Sequence, residues 1–126
     1  MTAARVFMKT IFIDIDGTIF KQKENLSDIY RERLVLLPGV KEAFDSWNWK
    51  GYKIVITTGR KESTRYATET ALRRAGLFWD HLLMGLDAGG ERILINDHNP
   101  FVDDQTSAKS FEVARNEGLS QDIIDI

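Results

Sequence analysis

Apolar residues fall along the chain in short blocks that switch between two periods. Val6–Asp16 (VFMKTIFIDID) is apolar on both alternating faces near its end and stops at Asp16-Gly17. Such a block predicts a central strand of a parallel sheet covered by helices. Thr18–Leu36 is polar and mixed, a loop or flap with room for a short helix near Ile29–Leu34. Behind Pro38-Gly39, residues Val40, Ala43, Phe44 and Trp47 repeat at i, i+3, i+4 and i+7. That spacing predicts a helix with one buried face, closed by Gly51. Tyr52–Thr57 (YKIVIT) predicts a second strand, and Glu62–Ala75 a second helix with Ala67, Ala71, Leu72 and Ala75 inward and Gly76 as its stop. On that helix Glu69 and Arg73 stand four apart in the favourable order. His81–Met84 is a short third strand, and Arg92–Asn96 (RILIN) a fourth, broken by Asp97-His98-Asn99-Pro100. Ala108–Ala114 carries only a weak strand or helix signal. Strands alternating with helices predict one α/β domain over residues 1–126, with a largely parallel sheet and flanking helices.

Composition narrows the class. With 43% hydrophobic and 29% charged residues, the chain is globular rather than disordered in character. It has no cysteine, which removes disulfides and thiolate metal sites. A formal net charge of -2 gives no general basic field and counts against nucleic acid as a partner, although a local basic groove stays compatible with it. No apolar run approaches the ~20 residues of a membrane span, and Met1–Arg5 has no signal-peptide pattern. The expectation is a cytoplasmic protein with no membrane partner.

Three strands end in residues that a purely structural strand does not need. The first ends Asp14-Ile15-Asp16, the second Thr57-Thr58 and the fourth Asn96-Asp97. In a parallel sheet these ends share one edge, where ligands bind. Carboxylates brought together repel, and a hard divalent cation relieves the repulsion. Asp14 and Asp97, with the backbone carbonyl of Asp16, suit magnesium. An aspartate is also a competent nucleophile toward phosphorus, and Asp16, two positions on, is placed to act as acid and then as base. Gly17 permits close backbone approach, and the Thr18 hydroxyl can tie the loop. Each element has an ordinary structural alternative when taken alone: an Asp-x-Asp turn, a β-branched strand exit, an Asn-Pro turn. Their joint occurrence in this order argues for a site.

The stretches IFIDIDGT (Ile11–Thr18), IVITTGR (Ile54–Arg60) and ILINDHNP (Ile93–Pro100) resemble the haloacid dehalogenase superfamily of phosphohydrolases. The first is that family's nucleophile loop and is highly specific; the other two are weaker but fall in order. The resemblance covers nearly the whole chain and implies a Rossmann-like core. The wording LLPGVKEAFDSW, LLMGL and ARNEGL also resembles a small capless subgroup of capsular or surface-polysaccharide biosynthesis phosphatases. The resemblance implies that Asp14 is nucleophile and metal ligand, Asp16 general acid/base, and Asp97 the residue completing a Mg2+ site. Thr58 would hydrogen-bond the transferring phosphoryl group, with Thr57 as fallback. Gly17, Thr57, Gly59 and Arg60 would border the substrate, Arg60 being equally readable as a surface arginine at a helix start. The family's phosphoryl-neutralising lysine is absent from GGERILIND, and Arg92 is the best substitute. Asp103 and Asp104 are candidates for a further acidic position.

The intervals between Asp16 and Thr58 and between Thr58 and Asp97 are filled by core elements, leaving no space for a cap domain. A capless core takes a large substrate or borrows a neighbouring subunit as lid. Phe20, Leu26, Ile29, Tyr30, Leu34 and Leu36 in the flap lack an evident strand to pack on, so a homo-oligomer is expected, the alternative being a flap folded back on its own core. Phe20 could line the pocket mouth. The expected partner is a small phosphorylated substrate, a sugar phosphate or related polysaccharide intermediate. The rival readings are a phosphatase of nucleic-acid 3′ ends and a non-catalytic binding module; the latter would be marked by loss of Asp14 or Asp16, and both are present.

Overall fold

β-branched and aromatic residues dominate the first two strands, and their pairing builds the sheet. In the computed structural model, which describes residues 8–22, 25, 27, 34–101 and 106–126, β1 (Thr10–Asp14), β2 (Lys53–Thr57) and β3 (His81–Leu83) form a parallel sheet in the order β1-β2-β3. The register runs Thr10 opposite Lys53 through Asp14 opposite Thr57, and Val55 opposite His81 through Thr57 opposite Leu83. Crossover connections are obligatory between parallel strands. Helix α1 (Val40–Trp49) joins β1 to β2, and α2 (Arg65–Arg74), entered through a 3₁₀ turn at Glu62–Thr64, joins β2 to β3.

The stripe Val40, Ala43, Phe44 and Trp47 is fully buried, as its spacing predicts. Each large side chain in it contributes roughly 1.5–3 kcal/mol by leaving water. Trp47 also donates Nε1–H to the carbonyl of Ile123 at 3.3 Å, so its polar edge is satisfied. Ile123 belongs to α3 (Gln121–Ile124), a short helix that carries no sequence signal strong enough to predict it. The inward positions of α2 are Thr68 and Leu72; the alanines predicted inward are half-buried beside them.

Two expectations are corrected. Arg92–Asn96 is not a strand: it has no regular structure, and Ile93, Leu94 and Ile95 are exposed, Ile95 at 92%. Its ends are tied to its own loop instead of to β1. Arg92 Nη1 donates to the carbonyls of Asp87 and Gly90, and Asn96 Nδ2 to that of Ser107. Phe20 is not at a pocket mouth. It is 1% exposed in the core, and Leu34 and Leu36 pack against that core. The described part of the flap therefore folds back on its own domain, through Lys21 N–H to Val35 O at 2.9 Å and Leu37 N–H to Ile19 O at 2.9 Å. Leu26, Ile29 and Tyr30, with the helix expected there, and Asp103 and Asp104, lie outside the described residues. Ala108–Ala114 forms neither strand nor helix, and no helix among the described residues is long and apolar enough to cross a membrane.

The C-terminal region is clamped to the start of α1 by two glycines. Gly39 (φ +81) and Gly118 (φ +85) sit in the left-handed region, and a Cβ on either would collide with backbone, of Leu119 and Pro38 respectively. Leu119 N–H donates to Pro38 O at 2.9 Å across that contact. Backbone strain of this kind costs of order 1–3 kcal/mol. Gly118→Ala is therefore expected to lower stability by about that much in urea unfolding, whereas Gly89→Ala, in open space, should leave the midpoint unchanged.

Candidate functional site

The chain turns sharply where β1 ends. Ile15 O accepts the N–H groups of Thr18 (3.1 Å), Ile19 (2.8 Å) and Phe20 (3.1 Å), while Gly17 N–H donates to Phe20 O at 2.7 Å. Gly17 has φ +86, which glycine adopts without steric cost. This winding leaves Ile15 buried and turns Asp14 and Asp16 toward one polar cavity of about 250 Å³, lined by Asp14, Asp16, Gly17, Thr18, Val113 and Arg115.

Asp14 is an exposed residue, but partial desolvation of its carboxyl at the cavity wall raises it above the ordinary carboxylate range. The Ile15 N–H bond opposes the shift, the Asp16 charge adds to it, and the positive charges of Arg92 and Arg60 counter it. Arg92 thus acts electrostatically on Asp14, although its segment is not a strand. Thr57 lies in register beside Asp14 on the neighbouring strand and is half-buried. Thr58 is 1% exposed, its Oγ1 accepting Arg60 N–H at 3.1 Å. Neither threonine lines the cavity. Gly59 makes room for a neighbouring loop, since a Cβ there would stand 2.7 Å from Ala88 Cα.

Arg60 does not border the cavity. Its guanidinium forks onto Asp16, Nε to Oδ2 at 2.9 Å and Nη2 to Oδ1 at 2.8 Å, and Nη1 donates to Thr68 Oγ1 at 3.0 Å. Asp97 is exposed, and among the described residues no three His, Cys, Asp or Glu side chains are grouped so as to hold a metal. The structure brings Asp14 and Asp16 together but does not add Asp97 to them, because the strand that would carry it to the sheet edge is not formed.

Two participants carry no sequence assignment. Thr68, on α2, is fully buried against Arg60. Arg115 stands in the ARNEGL stretch and reaches the cavity because its turn is stitched to the loop that follows β1. Asn116 N–H donates to Gly17 O at 2.9 Å, and Asn116 Oδ1 accepts Gln22 N–H at 2.8 Å. Asn116 takes φ 65, an uncommon non-glycine conformation that asparagine tolerates. Contacts so distant in sequence leave no local pattern.

No protein-family model matches the sequence, and no curated protein matches it. Solved structures do. A chain of the Pnkp1/Rnl/Hen1 RNA repair complex is 25% identical at TM-score 0.54, covering 68% of this chain and 28% of its own length. A second structure of the Pnkp1/Rnl/Hen1 complex gives 23% identity at TM-score 0.54, with 68% and 30% coverage. This chain thus spans less than a third of those proteins. D,D-heptose 1,7-bisphosphate phosphatase from B. bronchiseptica, solved with magnesium and phosphate, is 20% identical at TM-score 0.51, covering 81% of this chain and 56% of its own. A protein from Vibrio cholerae is 23% identical at TM-score 0.50, with 71% and 80% coverage. Together with the parallel sheet and its flanking helices, these likenesses show a Rossmann-like fold of the haloacid dehalogenase type, with no cap among the described residues.

Proposed function

We propose that this protein is a magnesium-dependent phosphate monoester hydrolase working through an aspartyl-phosphate on Asp14. The observation that carries the reading is the convergence of Asp14 and Asp16 on one polar cavity at the carboxyl edge of a parallel sheet. The donor set fits magnesium, which takes one or two carboxylates together with waters and substrate oxygens. The Asp14 carboxylate and the Asp16 carbonyl would hold it, with the remaining positions left to waters and substrate oxygens. Once bound, the ion would offset the negative charge of the phosphoryl oxygens.

The protein's own groups carry the proton and bond changes. An Asp14 oxygen attacks phosphorus as the ester P–O bond breaks, and the departing oxygen takes a proton from the Asp16 carboxyl. Water then attacks the phosphorus of the aspartyl-phosphate and gives a proton to the Asp16 carboxylate. The bond between phosphorus and the Asp14 oxygen breaks, freeing phosphate and restoring Asp14. Arg92 supplies positive charge near the phosphoryl group.

The substrate class is a sugar phosphate or related intermediate of surface-polysaccharide synthesis. The subgroup wording and the likeness to a heptose bisphosphate phosphatase support it. A nucleic-acid 3′-phosphatase is the second reading, favoured by the likeness to a chain of an RNA repair complex. Phosphate release from a panel of sugar phosphates and 3′-phosphorylated oligonucleotides separates the two. The sugar phosphates are expected to turn over faster, and the reverse order would install the second reading.

Chelation should abolish turnover and magnesium should restore it, with calcium a poor substitute. Asp14→Asn is expected to lose both turnover and phosphoryl labelling; activity retained by this variant would refute the nucleophile. The same variant should fold at least as stably as the unaltered protein at neutral pH without metal. The Asp14 carboxyl is raised in the folded state, chiefly by partial desolvation. Its contribution to stability is therefore full below the unfolded-state pKa and lost as pH rises through the folded-state value. Thermal melts check that sign.

Arg92 is expected to matter through charge near the transferring group. Arg92→Ala should cut turnover by roughly 10²-fold, the scale of losing one stabilising donor, with an unchanged melting temperature. Arg92→Lys should recover part of it, since a point charge replaces a fork incompletely. Near-normal turnover by Arg92→Ala would remove the assignment.

A further inference from the structure

We propose that Arg60 is a positioning residue that holds the Asp16 carboxyl in the orientation needed for proton transfer, with Thr68 as the tether that aims Arg60. This deepens the hydrolase reading and rests on it. The arginine is built into the fold from both sides. Its N–H donates to Thr58 Oγ1 at 3.1 Å, and its carbonyl accepts Gly85 N–H at 2.7 Å, fixing the backbone between the loops after β2 and β3. The side chain then runs inward, 2% exposed, with one edge of its plane on Asp16 and Nη1 on Thr68.

The chemistry of the contact distinguishes it from an ordinary surface ion pair. A buried guanidinium is expensive to desolvate unless its hydrogen bonds and its charge are met. Here a hydroxyl from α2 and both oxygens of one carboxylate meet them. A two-pronged bond fixes the plane of the carboxylate as well as its distance. The Asp16 side chain stays 27% exposed, on the wall of the cavity that Asp14 also lines. One carboxyl is thus gripped at both oxygens by a buried fork while its side chain still borders the cavity. Without the fork, the side chain of Asp16 could rotate among staggered conformers, and only a fraction would reach the leaving oxygen. The arginine touches no reacting atom; it acts through Asp16.

That role leaves a signature that a merely structural arginine would not. Departure of an alkoxide needs a proton from Asp16, whereas a nitrophenolate leaves readily without one. The comparison is kcat/KM for 4-nitrophenyl phosphate against that for an alkyl phosphate such as glycerol phosphate, in the unaltered protein and in Arg60→Lys, Arg60→Ala, Thr68→Val, Asp16→Asn and Asp16→Asn/Arg60→Ala. Asp16→Asn should lose ~10²–10⁴-fold on the alkyl ester and far less on the aryl ester. Arg60→Ala should show the same split, and Arg60→Lys and Thr68→Val a smaller one. The double variant should be little worse than Asp16→Asn alone, because both changes remove one function. Should Arg60→Ala fail to fold, Arg60→Lys and Thr68→Val carry the test, with thermal melts confirming that they are folded. Equal losses on both esters, or losses that multiply in the double variant, overturn the positioning role while leaving the hydrolase standing. An unaltered protein that turns over neither ester overturns the hydrolase reading, and the positioning role falls with it.

Discussion

Pairing of β1 with β2 sets the position of Asp14 and of the loop that carries Asp16. The register that puts Ile13 opposite Ile56 also puts Asp14 opposite Thr57, and parallel geometry sends both strand ends to one edge. A slip of one residue would turn Asp14 toward the face now occupied by Ile13, which is buried. The core thereby enforces the register: Ile13, Ile54 and Ile56 have one way to be inside, and the carboxylate position follows from it. The loops beyond the strands inherit that precision. Ile15 O gathers three amides, and Thr58 O and Arg60 O take the amides of Leu86 and Gly85, so the ends of β1, β2 and β3 are each tied down within a few residues.

Placing Asp14 and Asp16 on one cavity creates an electrostatic debt that the fold partly settles on its own. Asp16 raises Asp14, and partial desolvation raises it further, while the Ile15 amide, Arg92 and Arg60 act in the opposite sense. The two carboxylates are treated differently. Asp16 receives a full guanidinium fork, and Asp14 receives one backbone N–H and charge at a distance. A carboxylate saturated by strong donors is a poor nucleophile, whereas one left with free lone pairs can attack or bind a cation. The asymmetry therefore matches a division of labour in which Asp14 reacts and Asp16 is held in place.

Much of the sheet and of α1 was legible because periodicity reports burial. Val40, Ala43, Phe44 and Trp47 repeat at helical spacing and are all buried; YKIVIT and IFID are strands. RILIN was equally apolar yet is not a strand. A short run without alternation does not specify what pairs with it, and here Arg92 and Asn96 bond to nearby carbonyls instead. Asp14 and Asp16 were legible because a single loop carries them. Arg60 was recognised as a residue of interest, but its partners, Asp16 and Thr68, sit on other elements, so its orientation away from the cavity had no sequence signal. Arg115 was hidden for the same reason, its place being decided by the hydrogen bond Asn116 donates to Gly17 O and the one it accepts from Gln22 N–H.

If the protein is the proposed hydrolase, with no cap among the described residues, discrimination between leaving groups falls to whatever surrounds the cavity beyond the loop after β1. Val113 and Arg115 are the two wall residues that come from elsewhere in the chain. One is apolar and the other cationic, so the rim can favour a leaving group that combines a carbon surface with a further negative charge. Bisphosphorylated sugars and the phosphodiester backbone next to a nucleic-acid end both have that character. The same rim is thus compatible with either proposed substrate class. The cavity is small, about 250 Å³, which is less than the 300–1,000 Å³ of pockets that enclose a drug-sized ligand. On the proposed reading, a cavity of this size would take only the phosphoryl end of a substrate. The loop that carries Asp14 and Asp16 is thus fixed by the sheet, whereas Arg115 reaches the same cavity from a separate turn and can change without disturbing the register.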